Sequence, residues 1–266
     1  MTEEMIEKLR ALADKYETKE FIVGDPSSFM HRYGDAREKE TAAFIAANLA
    51  FGRREQILSH VEKILAETGS SPSGWITGGG YKEFFGESGK SFYRTYTNGA
   101  MVLFFGTLGK ILSEEETPGE FFRKKWESSG KNGHLHEIIA SEFPEGCTLV
   151  PHTKESAAKK LNMMLRWFVR TDSPVDIGTW KWFDRKNLLM PLDTHVMQES
   201  TRLSLIKPAR SGKVRAATLA TAEELTETLR EAFPDDPVRG DFALFGLGVD
   251  EEKNDRKNLS AVFCSR

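Results

Sequence analysis

The sequence predicts an all-α protein, and three observations carry that expectation. Apolar residues recur at helical spacing over long segments, no stretch alternates apolar and polar residues as a half-buried strand does, and the breaks between periodic segments are short clusters rich in Gly, Pro and Ser. The 266 residues suffice for one large domain or two modest ones with real cores.

Taken in chain order, Ile57, Val61, Ile64 and Leu65 fall at i, i+4, i+7 and i+8, one apolar stripe of a helix. Leu161, Met164, Leu165 and Phe168 repeat at i, i+3, i+4 and i+7. Leu225, Leu229, Ala232 and Phe233 do the same and run into Pro234, which ends a helix. Breaks are expected at residues 69–80, 118–119, 130–133, 144–153, 171–174 and 207–212. Roughly ten helices joined by loops result. Residues 172–190, with Pro174, Gly178, Trp180 and Trp182, read as an irregular loop with one short helical turn, its aromatics plugging the core beneath.

Hydrophobic residues make up 39% and charged residues 29%, the balance of a soluble globular protein. No apolar run approaches a membrane span, and the acidic start Met-Thr-Glu-Glu-Met is no secretory signal. The only cysteines, Cys147 and Cys264, are too few for a disulfide framework, an iron–sulfur cluster or a tetrathiolate zinc. A cytoplasmic, nucleoid-associated protein with no cofactor is expected. The histidines His31, His60, His134, His136 and His152 show no HxxxH or HExxH spacing, so no metal is expected either. A net charge of −3 argues against coating nucleic acid indiscriminately. It leaves room for a basic patch, because Lys154 to Arg170 holds five Lys/Arg against one acid, Glu155.

Two residues carry the functional reading. Lys159 stands at the head of the Leu161 helix. A free lysine titrates near pH 10.4, so a nucleophilic lysine must be desolvated or set beside other cations. The other reading of Lys159 and Lys160 is a solvated helix face. Asp193, in Pro191-Leu192-Asp193-Thr194-His195-Val196, is an expected helix N-cap, with Val196, Met197 and Leu203 continuing an apolar face. It is either a cap alone or an aimed carboxylate able to stabilise an oxocarbenium-like sugar.

That Asp-Thr-His stretch resembles the V/L-D-T-H-hydrophobic motif of the helix-hairpin-helix glycosylases typified by endonuclease III. Ala158-Lys159-Lys160-Leu161-Asn162 is similar to the stretch holding that superfamily's Schiff-base lysine, residues 40–50 to its early helix, and residues 241–248 to its late helix. A closer resemblance spans nearly the whole chain. His31-Arg32-Tyr33, Leu49-Ala50-Phe51-Gly52, residues 92–99, residues 160–170 and residues 191–196 look like the signatures of a bacterial family known as domain of unknown function 2400.

The superfamily resemblance implies a two-lobed helix-hairpin-helix DNA glycosylase-like fold with a central cleft. Residues 35–140 would form one lobe, and 141–266 plus the N-terminal arm 1–34 the other. It implies excision of a damaged, flipped-out base, with or without strand nicking, from duplex or single-stranded DNA. Lys159 takes the place of the Schiff-base lysine and Asp193 that of the aspartate. Arg53 and Arg54, after the early helix, are candidates to fill the gap left by the flipped base or to grip the backbone, solvated loop arginines being the other reading. Lys154, Ser156, Lys160 and His195 are candidate nucleic-acid contacts, Lys154 and Ser156 holding a phosphate together with the helix N-terminus. Trp167, Trp180 and Trp182 are candidates to stack on a base, with core packing as the alternative.

The sequence departs from that pattern in three places. The superfamily hairpin carries glycines that admit a phosphate, whereas residues 149–156 hold none. The C-terminal four-cysteine cluster is absent. The interval from Lys159 to Asp193 is longer than in endonuclease III, a feature shared with archaeal 8-oxoguanine glycosylases. A catalytically silent nucleic-acid-binding protein of the same fold, and an RNA or nucleotide hydrolase, are the alternatives.

Overall fold

A computed structural model describes residues 1–153 and 155–250, and the chain is mostly helical. In order it runs α1 (Glu3–Tyr16), α2 (Ala36–Leu49), α3 (Arg54–Thr68), α4 (Pro72–Thr77), α5 (Gly80–Phe85), a hairpin of β1 (Ser91–Tyr93) and β2 (Tyr96–Thr97), then α6 (Asn98–Glu114), α7 (Pro118–Ser128) and α8 (Leu135–Ser141). After a long loop come α9 (Lys159–Val169), α10 (Thr194–Arg202) and α11 (Leu219–Arg230), followed by a helix, α12, over residues 240–250. Among the described residues no helix is long and apolar enough to cross a membrane.

The three predicted stripes are where the periodicity puts them. Ile57, Val61, Ile64 and Leu65 are buried on α3, Leu161, Met164, Leu165 and Phe168 on α9, and Leu225 and Leu229 on α11. Ala232 and Phe233 are buried in the turn that follows α11. Two local expectations are corrected. The stretch 69–80 is not merely a break, because it contains α4. Ser71 there accepts a hydrogen bond from the Gly74 N–H, and Pro72 occupies the first helical position, where its missing N–H costs nothing. Residues 91–97 form an antiparallel hairpin, Ser91 opposite Thr97 and Tyr93 opposite Tyr96, too short to register as alternation.

The chain divides into two compact units, and the division differs from the expected one. The larger comprises Lys19–Lys154 and Met163–Asp184, and the smaller Met1–Thr18, Glu155–Asn162 and Arg185–Arg266. The stretch after α9 as far as Asp184 thus belongs with the larger unit, and aromatic packing is the reason. Phe168 lies 5.6 Å from Phe44 and 4.6 Å from Trp180, and Trp180 lies 5.8 Å from Phe122. Each such ring removed from water contributes about 1.5–3 kcal/mol. The same insertion satisfies the carbonyls left open at the C-terminal end of α9. Ile177 N–H donates to the Trp167 carbonyl at 2.8 Å and Trp180 N–H to that of Phe168 at 2.7 Å. Asp176 then sits buried between Arg166 and Arg170 of that helix.

At the centre of the larger unit is α2. Its alanines Ala42, Ala43, Ala46 and Ala47 are all buried. It also buries two carboxylates. Glu38 accepts from Ser71 Oγ (2.9 Å) and Ser73 N–H (2.8 Å) at the start of α4, and Glu40 accepts from Gly119 N–H (2.7 Å) at the start of α7. A side chain at Gly119 would place its Cβ 2.6 Å from the Trp180 indole nitrogen, so that close approach requires glycine.

In the smaller unit α1 is tied to the segment after α11. Arg10 Nε donates to the Ala232 carbonyl at 2.9 Å, and Arg239 bonds Glu17 and Asp14 at 2.7 and 2.6 Å. α12 packs its glycines against larger neighbours, Gly246 beneath the Tyr16 ring and Gly248 beneath His195.

Candidate functional site

Lys159 and Asp193 lie in the same unit, each at the first turn of a helix. Lys159 opens α9 through an unusual turn. Ala158 adopts φ +42, the left-handed region that costs an alanine about 1 kcal/mol. Hydrogen bonds hold it there. Ala158 N–H donates to Ser156 Oγ (3.1 Å), while the buried Asn162 donates its side-chain amide to the Ala157 carbonyl (2.8 Å) and its N–H to the Ala158 carbonyl (2.9 Å). The chain therefore makes with an alanine the kind of turn that a glycine would make without strain. Lys159 emerges half-buried, and its amine has no hydrogen bond or ion pair among the described residues.

Asp193 caps α10 as its sequence predicts. One carboxylate oxygen accepts the Val196 N–H at 2.8 Å and the backbone carbonyl accepts from Met197 at 3.0 Å. The second carboxylate oxygen has no hydrogen-bond partner among the described residues. Asp193 is half-buried.

Both segments are anchored on α11. Leu219 N–H donates to the Glu155 carbonyl at 2.8 Å, Ser156 pairs with Thr218, and Met190 N–H donates to Thr226 Oγ at 3.0 Å. Those two anchor points are about 10 Å apart along the helix, at 1.5 Å per residue. Four residues lead from the first anchor to Lys159 and three from the second to Asp193.

The other predicted residues divide. Ser156 spends its hydroxyl on the Ala158 turn. Lys160 is half-buried, and Lys154 lies outside the described residues. The His195 ring stands edge-on to Phe245, 5.7 Å between centroids, and covers Gly248. Trp167 and Trp180 are core side chains, 1% and 0% exposed, with no ring face open to a base. Trp182 is half-buried and stacked on Trp180 at 5.4 Å. All three tryptophans belong to the larger unit, as do Arg53 and Arg54, which are exposed at the start of α3. Among the described residues no group of His, Cys, Asp and Glu is arranged to hold a metal ion. A groove of about 840 Å³, lined by residues such as Ile76, Tyr81, Leu103 and Phe143, includes none of the predicted site residues.

Residues 25–250 match the family described as "Protein of unknown function (DUF2400)". The chain belongs to the DUF2400 family. No curated protein and no solved structure matches it.

The structure adds to this DUF2400 chain a surface that its sequence does not announce. Phe51, 45% exposed, lies under the Arg94 guanidinium at 4.6 Å. The β1–β2 turn brings Arg94 there at φ +53, and Tyr93 fixes the approach by donating its hydroxyl to the Phe51 carbonyl at 2.7 Å. Gly52 between them has φ +115, and a Cβ there would lie 2.7 Å from Arg94. With Arg53 and Arg54 beside it, the patch combines an aromatic face with several guanidinium groups. Its one signal in the sequence is an aromatic directly before a glycine after a helix.

Proposed function

We propose that this protein is a DNA N-glycosylase that uses Lys159 as nucleophile and Asp193 as electrostatic partner, on a helix-hairpin-helix glycosylase-like fold. One observation carries the reading. A half-buried lysine with no ionic partner and a fixed carboxylate with a vacant oxygen head two helices of one unit, both anchored on α11.

The chemistry follows from the groups. The Lys159 amine attacks C1′ of the nucleotide sugar. The bond to the base breaks and the base leaves with a proton. Ring opening of the resulting aminal gives an iminium between Lys159 and C1′. As the glycosidic bond lengthens the sugar gains oxocarbenium character, and the vacant Asp193 oxygen stabilises that charge. Hydrolysis of the iminium, or elimination of the 3′ phosphate and then hydrolysis, frees the lysine. A base in a duplex must leave the stack to be reached. The Phe51–Arg94 patch with Arg53 and Arg54 is by itself suited to nucleic acid, because an aromatic face stacks on any base and guanidinium groups pair with phosphate. DNA is then the partner, and the cytoplasm with its nucleoid the location.

Borohydride trapping over a panel of lesion and abasic duplexes tests the reading. Reduction of the iminium fixes an amine link, so the wild-type chain is expected to migrate as a covalent protein–DNA adduct and Lys159→Gln is not. Trapping through Lys159→Gln at the wild-type level would remove the lysine from the mechanism. The glycine-free sequence at 149–156 favours a second reading, a catalytically silent nucleic-acid-binding protein, in which DNA is bound but no lesion yields excision or trapping.

A further inference from the structure

We propose that the loop joining α10 to α11 grips the phosphate backbone of duplex DNA through Lys207, Arg210 and Lys213. The inference rests on the reading that the protein acts on DNA. From Ser200 to Ala222 the charged residues are Arg202, Lys207, Arg210, Lys213 and Arg215, with no acid among them, in a chain whose net charge is −3. Two of the five are committed internally, Arg202 to Glu199 at 2.5 Å and Arg215 to Glu224 at 2.6 Å. Lys207, Arg210 and Lys213 are exposed and have no ion pair among the described residues.

The loop holds these three in place. Gly212 N–H donates to the Ala209 carbonyl at 2.8 Å and Ala209 N–H to that of Lys213 at 2.9 Å, closing a turn that places Gly212 at φ +76. On the far side Arg215 is fastened to Thr221 at 3.3 Å as well as to Glu224, and Thr221 Oγ donates to the Ala216 carbonyl at 3.1 Å. Cations on a turn fixed in this way lose less freedom on binding than cations on a slack loop.

The position and composition of the loop select the partner. It leaves α10, whose N-cap is Asp193, and ends at Thr218 and Leu219, which are bonded to Ser156 and Glu155 just ahead of Lys159. Its three free cations fall at every third residue, around the turn closed between Ala209 and Lys213. The loop carries no aromatic residue to stack on an unpaired base, only the exposed Val214. It therefore contacts backbone rather than bases, and contributes affinity without sequence preference.

The test measures binding of the full chain to a short duplex containing an abasic-site analogue, by fluorescence anisotropy across a salt series. Lys207→Ala/Arg210→Ala/Lys213→Ala is compared with Lys8→Ala/Lys19→Ala/Lys110→Ala, which removes equal charge from exposed positions elsewhere. The loop variant is expected to bind at least about tenfold more weakly and to lower the slope of log K against log salt by about 3, close to one phosphate per cation. The control variant should match wild type, and unfolding midpoints should agree across all three. Equal losses in both variants, an unchanged slope in the loop variant, or a wild-type chain that does not bind the duplex would overturn the proposal. Trapping through Lys159 with an unaltered loop variant would sink the loop and spare the glycosylase. A slope change with no trapping on any lesion would do the reverse.

Discussion

Asp193 serves as a helix cap and as the proposed partner of a sugar cation, and one substitution separates these roles. Serine ranks beside aspartate as an N-cap, so Asp193→Ser keeps the bond to the Val196 N–H. What is lost is the favourable charge–dipole term, worth about 0.3–1 kcal/mol. Stability should fall by no more than that in urea unfolding, while excision of a sensitive lesion should slow by about 100-fold or more, the scale of removing one aimed electrostatic group. An Asp193→Ser protein that excises at the wild-type rate would reduce Asp193 to a cap. The cap was legible because it needs only a polar residue ahead of an apolar stripe. The surroundings of Lys159 were not. They depend on Ala158 holding a left-handed conformation through Ser156 and Asn162, and nothing in an Ala-Ala-Lys-Lys string marks that. Phe51 and Arg94 are 43 positions apart, and only the β1–β2 turn and the Tyr93 hydroxyl pair them.

Among the elements, α2 organises its neighbours by capping them from outside. Glu38 and Glu40 are charged residues in the first two turns of α2, which composition alone would assign to a solvent face. They are buried because each meets the open N–H groups of another helix, α4 for Glu38 and α7 for Glu40. Removing Glu38 strands Ser71 Oγ, Ser73 N–H and Ser73 Oγ together. Glu38→Ala should therefore cost about 2–3 kcal/mol, the range for leaving buried donors without an acceptor. Glu55→Ala, exposed in the first turn of α3, should stay within about 0.5 kcal/mol. Equal losses from the two would show that Glu38 does not hold α4. This trans-capping explains which parts of the fold the sequence could reveal. Helices with their own stripe, α3, α9 and α11, were legible. The short α4, with six residues and an acceptor supplied from 35 positions away, read as a break. The stretch 172–190 could be seen as irregular, but the membership of its residues up to Asp184 in the larger unit follows from Phe168 and Trp180 packing that no local pattern encodes.

For the molecule as a whole, the pH dependence of stability isolates Glu40. Burial pushes its carboxyl above the usual carboxylate range, and the Thr179 hydroxyl, the Trp180 indole and the Gly119 N–H that face it offset this only in part. The paired surface acids Glu62 and Asp235 shift the other way, held low by Arg32 and Lys186. Their contribution is present above the ordinary carboxylate range and is lost only as the pH falls through their lowered values. Above about pH 4.5 they no longer change, and Glu40 does. The folded state holds the Glu40 proton more tightly than the unfolded chain does. Stability is thus greatest below the unfolded value of 4.5 and declines as the pH rises through the folded value, by at most about 1.4 kcal/mol per pH unit. Glu40→Gln removes that proton from the balance, and comparison with wild type cancels the histidines, which titrate in both. The level of the Glu40→Gln curve is not diagnostic, since an amide presents one fewer acceptor to the same donors. Its slope is. Measured by urea unfolding between about pH 5 and pH 8, the stability of wild type relative to Glu40→Gln should decline with rising pH. A difference that stays constant over that range would mean that Glu40 ionises inside the fold without penalty, and that the Thr179, Trp180 and Gly119 donors outweigh its burial.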